Sequence, residues 1–170
     1  MLKVELLSRH HDRGSFTCGK PALDDYLRRT ARQHLDKGVS RTFVLVDDEL
    51  PGVIMGFFAL SVCELDAAKL PPKWGRRYPR RIPGAKLARL AVDERLHGQG
   101  YGAALLYEAM RRVVLGAEQL GVVALFVDSK DEEARRYYEH FGFLSLPENH
   151  LEMYLPMETV RSAVLGSGAE

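Results

Sequence analysis

The sequence predicts an α/β (α+β) fold, a mixed central sheet flanked by helices, and three observations carry that expectation. Apolar, β-branched and aromatic runs dominate the first half of the chain. Past the middle, an apolar strand passes through a polar turn and a glycine-rich loop into a long amphipathic helix. A second, shorter strand–helix pair follows, with two further strand runs behind it.

Taken in order, Val4 to Ser8 reads as a short first strand. Pro21 suits the first turn of a helix, with Asp24 and Asp25 near its positive end and Gly38 stopping it after Lys37. Arg41 to Val46 and Gly52 to Cys63 have strand composition, joined by the turn Asp47-Asp48-Glu49-Leu50-Pro51. The proline-rich stretch from Glu64 to Gly84 reads as a long loop with at most one helical turn, and loops of that length are often functional. Ala85 to Val92 is the next strand. From Gln99 to Leu120, the residues Leu106, Met110, Val113, Val114, Ala117 and Leu120 recur at helical spacing and mark a buried stripe. Val122 to Val127 is a wholly apolar central strand, Asp131 to Phe141 a short helix, and strands are expected near Gly142 to Leu146 and Leu151 to Pro156.

Composition narrows the class. The 170 residues suit one domain over 1–160, with 161–170 as a flexible C-terminal tail. A net charge of +1 means that any affinity for nucleic acid must come from local clustering. The two cysteines, Cys18 and Cys63, show no metal-ligand spacing, so no metal is expected, and they suit a reducing cytoplasm. The first residues do not form a signal peptide and no apolar run spans a membrane, which points to a cytoplasmic protein without a membrane partner.

The most informative segment runs from Arg89 to Ala103. Glycine lets backbone N–H groups approach a ligand without an intervening Cβ, and a helix start adds unpaired N–H groups and a positive dipole end. The combination suits a pyrophosphate-bearing cofactor. Gly98, Gly100 and Ala103 also fit G-x-G-x-x-A, a dinucleotide pattern, and Asp128 follows the next apolar run as a ribose-binding acid would. The glycines alone therefore leave a nicotinamide cofactor open. Against it, the turn lies past mid-chain, too little sequence follows for a doubly wound sheet, and meandering strands precede it.

Arg95-x-x-Gly98-x-Gly100 resembles the [Q/R]-x-x-G-x-[G/A] signature of the GNAT acyltransferases, and the element order along nearly the whole chain is similar to theirs. The resemblance implies the GNAT acyl-CoA N-acyltransferase fold and acetyl-CoA as acetyl donor. Its diphosphate would lie on the turn formed by Arg95, His97, Gly98, Gln99, Gly100, Tyr101, Gly102 and Ala103. Its pantetheine arm would pair with the backbone of Leu90, Ala91 and Val92, where an N–H could also serve as oxyanion donor.

Ala134-x-x-x-Tyr138-x-x-x-Gly142-Phe143 resembles the second GNAT element, in which the tyrosine hydroxyl points at the cofactor sulfur. By that resemblance Tyr138 is the catalytic residue, protonating the departing thiolate. Tyr137 points to another helix face and reads as packing. Many GNAT members carry Asn where this chain has Asp131. Glu64, Asp66 and His97 are general-base candidates by type only. An α-amino group, with a pKa of about 7.7–8.0 and lower still once its carboxyl is esterified, needs no base.

The acceptor is approached through charge. Residues 73–86 hold Lys73, Arg76, Arg77, Arg80, Arg81 and Lys86 without an acid, interleaved with Trp74 and Tyr78, which suit stacking on bases. The segment Phe16 to Leu27, with Gln33, Ser40 to Val44, Ala88 to Asp93 and Asp131 to Arg135, resembles the acetyltransferase toxins of bacterial toxin–antitoxin modules. That resemblance implies acetylation of the α-amine of aminoacyl-tRNA and a block of translation. It also implies a ribbon–helix–helix antitoxin and a homodimer, dimers being common in that group. Arg76, Arg77, Arg80, Arg81, Lys86 and Arg89 are the tRNA-binding candidates. The competing expectations are a GNAT enzyme acting on a small-molecule amine or a protein N-terminus, and a non-catalytic nucleic-acid-binding module.

Overall fold

The computed structural model describes residues 1–167, and its seven strands hydrogen-bond in the order β1-β2-β3-β4-β5-β7-β6. The strands are β1 (Leu2–Leu6), β2 (Arg41–Asp47), β3 (Gly56–Asp66), β4 (Arg81–Val92), β5 (Ala124–Asp128), β6 (Leu144–Ser145) and β7 (Glu152–Pro156). The chain groups into two compact units, each drawn from two segments.

The first unit comprises Met1–Ser61 and Ala88–Ala109. Here β1 runs antiparallel to β2, with Leu2 opposite Asp47 and Leu6 opposite Phe43, and β2 runs antiparallel to β3, with Leu45 opposite Gly56. Alternation sends Val44, Val46, Phe57 and Ala59 into one core. Leu23, Tyr26, Leu27 and Ala31 enter the same core from the helix, spaced to share one face. That helix consists of α1 (Pro21–Asp25), a π-helical turn over Tyr26–Thr30, and α2 (Ala31–Lys37). The Asp24 carboxylate reaches back from its first turn to accept from the Cys18 N–H at 2.9 Å and the Thr17 hydroxyl at 3.2 Å.

The second unit comprises Val62–Leu87 and the chain from Met110 onward. β5 is parallel to β4 through Ala85–Leu87 and antiparallel to β7 along its whole length; β6 adds to the far side of β7. Burial on both faces explains the unbroken apolar run of β5. A short helix α3 (Pro72–Gly75) lies between β3 and β4, and α4 (Tyr101–Ala117) leads from the first unit into the second. Two further helices are α5 (Glu132–His140), capped by Asp131 accepting from the Ala134 N–H at 2.8 Å, and α6 (Met157–Ser167). Among the described residues no helix is long and apolar enough to cross a membrane.

Three sequence expectations change. The long loop of 64–84 contracts, because β3 runs on to Asp66 and β4 begins at Arg81, leaving a 3₁₀ turn and α3 between them. Pro83-Gly84 does not break the strand. Pro83 is exposed and its carbonyl accepts from the Val123 N–H at 3.0 Å, while Gly84 lets the ring of Phe126 close over the backbone. Finally, α6 occupies 157–167 with Met157 and Val160 buried, so the expected tail is helical from 161 to 167; residues 168–170 lie outside the described residues.

A Cβ on Gly84 would stand 2.5 Å from the Phe126 ring, itself buried, and 3.0 Å from the Cys63 sulfur. Gly84→Ala should therefore destabilise the protein by about 1–3 kcal/mol, the usual cost of overpacking. Chemical denaturation at neutral pH checks this, and an unchanged midpoint would show that Phe126 moves aside freely.

Candidate active site

In the first unit the site is built on the end of β4. The carboxylate of Asp93 is buried at 0% exposure. It accepts from the Arg95 N–H at 3.0 Å, from Arg95 Nε at 2.8 Å and Nη2 at 3.0 Å, and from the Thr17 N–H at 3.4 Å. These bonds wind Glu94–Leu96 into a single 3₁₀ turn. The Arg95 guanidinium beside it holds the Asp93 carboxyl below the ordinary carboxylate range. Arg95 thus acts as a brace for the turn, its side chain committed to Asp93.

His97, although exposed, is tied down: its Nε2 donates to the Val92 carbonyl at 2.8 Å, closing the strand end onto the turn. Gly98 and Gly100 have φ of 79° and 84°, and nothing lies within 4 Å of where a Cβ would stand on either. Only glycine adopts that backbone without strain. Helix α4 begins at once, with the Ala104 N–H donating to the Gly100 carbonyl at 3.2 Å. Among the described residues the N–H groups from Gly98 to Ala103 have no acceptor in the chain, because they precede the first helical bond. The result is an open nest of donors at a helix start, a receptor for an anion.

β4 has a second property. Its ladder with β5 ends at Leu87, yet the strand continues through Ala88, Arg89, Leu90, Ala91 and Val92. Ala91 faces the core and Leu90 and Val92 are half-buried, so their side chains serve as wall.

In the second unit, Tyr138 lies on α5 with its ring packed edge-on against Phe143, at a centroid separation of 5.5 Å, and against Tyr137 at 5.4 Å. The residue is only 9% exposed, and burial pushes its phenol well above the ordinary tyrosine range. Its hydroxyl has no hydrogen-bond partner among the described residues and is not a sealed atom. The phenol therefore stays protonated, with its O–H uncommitted among the described residues.

A model of the acetyltransferase (GNAT) family matches residues 7–143. The chain belongs to that family. It is 37% identical over 158 residues to a protein named tRNA-acetylating toxin from Mycobacterium tuberculosis (strain H37Rv), with 93% of each chain covered. Among solved structures, it is similar to AtaT complexed with acetyl-methionyl-tRNAfMet, with a TM-score of 0.87 and 31% identity over 95% of this chain and 98% of that one. It is also similar to a Tyr→Phe mutant of the toxin AtaT bound to the C-terminus of the antitoxin AtaR and acetyl-CoA. There the TM-score is 0.80 and the identity 29%, over 94% of this chain and 96% of that one.

Within this GNAT chain the other candidates sort by what they touch. Glu64 accepts from Arg81 at 2.7 Å, and Asp66 caps the following turn through the Ala68 N–H at 2.9 Å and lies 3.7 Å from Arg80. Of the three general-base candidates, Glu64 and Asp66 are thus engaged, while His97, donating from Nε2, carries its lone pair on Nδ1. Lys86 pairs with Asp128 at 2.6 Å. The basic segment is therefore partly neutralised by acids of β3 and β5, while Arg76 and Arg77 have no acid within 4 Å among the described residues. Trp74 and Tyr78 do not offer free faces to bases. Trp74 stacks on Tyr154 at 5.4 Å and meets Tyr78 edge-on at 5.5 Å, both rings packed against the core of the second unit. Arg89 lies over the ring of Tyr26, a pairing that sequence reasoning missed because 63 residues separate the two.

The lowered pKa of Asp93 sets a pH dependence. A carboxyl whose folded pKa is depressed contributes stability above its unfolded value, near 3.9, and loses it as pH falls through the folded value. Asp93→Asn should lower the melting temperature at pH 7, by an amount equivalent to about 1–3 kcal/mol, and should flatten the loss of stability as pH falls below about 4. Thermal melts across that range check it, and an acid limb as steep as that of the unaltered protein would assign the transition to other carboxylates.

Proposed function

We propose that this GNAT enzyme transfers the acetyl group of acetyl-CoA to the α-amine of the amino acid on charged tRNA, as a toxin that blocks translation. The observation that carries the acceptor assignment is the full-length similarity to a protein named tRNA-acetylating toxin. It covers 93% of both chains, so the acceptor-side elements are shared and not the cofactor turn alone. In this reading residues 1–160 act as one catalytic domain. The diphosphate lies on the donors of Gly98 to Ala103, and the pantetheine arm pairs with the backbone of Leu90, Ala91 and Val92.

The chemistry then needs few groups. The neutral amine attacks the thioester carbonyl and a carbon–nitrogen bond forms. A β4 N–H holds the oxyanion, and the carbon–sulfur bond breaks as Tyr138 O–H gives its proton to the sulfur. The amine's surplus proton leaves to water, from which the phenolate recovers its own. The raised pKa of Tyr138 keeps it protonated at every physiological pH. The engagement of Glu64 and Asp66 agrees with a route without a carboxylate base. A ribbon–helix–helix antitoxin and a homodimer complete the proposed assembly, and charged tRNA places it in the cytoplasm.

The decisive assay is transfer of labelled acetyl from acetyl-CoA to total aminoacylated tRNA, with deacylated tRNA and free amino acids as controls. Label on charged tRNA alone supports the reading, and label on free amines overturns it. Tyr138→Phe should lower kcat by roughly 10²-fold or more with an unchanged Kd for acetyl-CoA, and loss of cofactor binding instead would make the tyrosine structural. The kcat/KM profile should rise through the pKa of the esterified amine, below about 7.7, without a descending limb before pH 10. Replacing Arg76 and Arg77 by Gln should weaken tRNA binding and reduce its salt slope by about 1 per contact, while Arg81→Gln, whose charge Glu64 already meets, should change the slope little.

A further inference from the structure

Arg89 is the one tRNA-binding candidate held by an aromatic ring. Its guanidinium carbon lies 4.8 Å from the centroid of Tyr26, and its Nη1 donates to the Ala88 carbonyl at 2.7 Å. No acid lies within 4 Å of it among the described residues, although the residue is half-buried on the part of β4 beyond the β5 ladder. Tyr26 is itself fixed. It is 6% exposed, its hydroxyl lies 3.1 Å from the Ser40 and 3.3 Å from the Thr42 hydroxyl, and its ring stacks on Phe57 with an interplanar angle of 17°. It also opens the π-helical turn, a distortion that often marks functional places in helices. The ring holds the cation in place by its π-face, and with no acid beside it the guanidinium keeps its remaining N–H donors for an arriving anion.

Which anion is decided by the faces of the sheet. A Cβ on Gly56 would meet Leu105 of α4 at 2.7 Å, so α4 and its glycine turn cover the face that Gly56 presents. The next residue, Phe57, points the other way, into the cluster that holds Tyr26. Arg89 on Tyr26 therefore lies on the face opposite the donor nest, which excludes the cofactor diphosphate as its partner. Of the two reacting partners, that leaves the acyl acceptor as the one whose anion Arg89 can meet. Given the aminoacyl-tRNA reading, on which this inference rests, the phosphate next to the reacting amine is the one on the 5′ side of the terminal adenosine. We infer that Arg89, positioned by Tyr26, binds this terminal phosphate and so sets the amine against the thioester. The planar guanidinium fork matches two phosphate oxygens at once.

The test compares 2′(3′)-O-aminoacyl-AMP with the same aminoacyl-adenosine, which differ only in that phosphate. The unaltered enzyme should favour the phosphorylated acceptor by roughly 10- to 100-fold in kcat/KM, mainly through KM. Arg89→Gln should abolish the preference and Arg89→Lys retain part of it, with the KM for acetyl-CoA unchanged in both. Tyr26→Phe keeps the ring and should keep the preference. Tyr26→Leu, accepted as folded if its KM for acetyl-CoA is unchanged, should lose it. No preference in the unaltered enzyme, or one that survives Arg89→Gln, overturns the assignment. If the unaltered enzyme does not acetylate charged tRNA at all, it is the acceptor reading that fails.

Discussion

The buried carboxylate of Asp93 is the constraint on which the cofactor side of this GNAT enzyme depends. It receives two backbone N–H groups and two nitrogens of one guanidinium, Nε and Nη2, and so joins the end of β4, the loop at Thr17 and the turn at Arg95. A charge is tolerated at full burial only when its lone pairs are met, and here four donors meet them. The backbone between Asp93 and Gly98 then has little freedom. His97 fixes the other side of the turn by returning to the Val92 carbonyl. The donors of Gly98 to Ala103 are thereby aimed before any ligand arrives, and preorganisation of that kind removes an ordering cost from binding.

Two distinct electrostatic solutions serve the two reacting partners. The proposed cofactor side uses neutral dipoles, backbone N–H groups at a helix start. The proposed acceptor side uses full charges, with Arg76 and Arg77 on the surface and Arg89 held on Tyr26. The difference suits the ligands. Backbone donors recognise a diphosphate by geometry, and here that geometry is held by the side chains of Asp93, Arg95 and His97.

Much of this arrangement was legible in the sequence because local chemistry dictates it. Gly98 and Gly100 must be glycine at their φ angles, and Asp131 and Pro21 announce helix starts. What escaped was non-local. Glu64 and Asp66 neutralise Arg81 and Arg80 across two strands, so the segment that looks purely basic in the sequence is not so in the fold. Trp74 and Tyr78 looked free for bases until Tyr154, 80 residues after Trp74, took the indole face. Pro83-Gly84 resembled a break because the ring of Phe126 that needs the missing Cβ is contributed by another strand. The π-helical turn at Tyr26–Thr30 leaves no mark in the apolar spacing, and α6 was masked by the small residues around Gly166.

The early end of the β4–β5 ladder bears on the protein's life before it meets a ligand. Five residues of a central strand, Ala88 to Val92, carry on where the pairing with β5 stops. Unpaired strand backbone is what proteins ordinarily hide, because any extended peptide can dock on it. A cofactor arm lying there would act as a missing strand, and the free enzyme would be the one with an unfinished sheet. The free and the occupied states would then differ in how far this backbone is open to amide exchange.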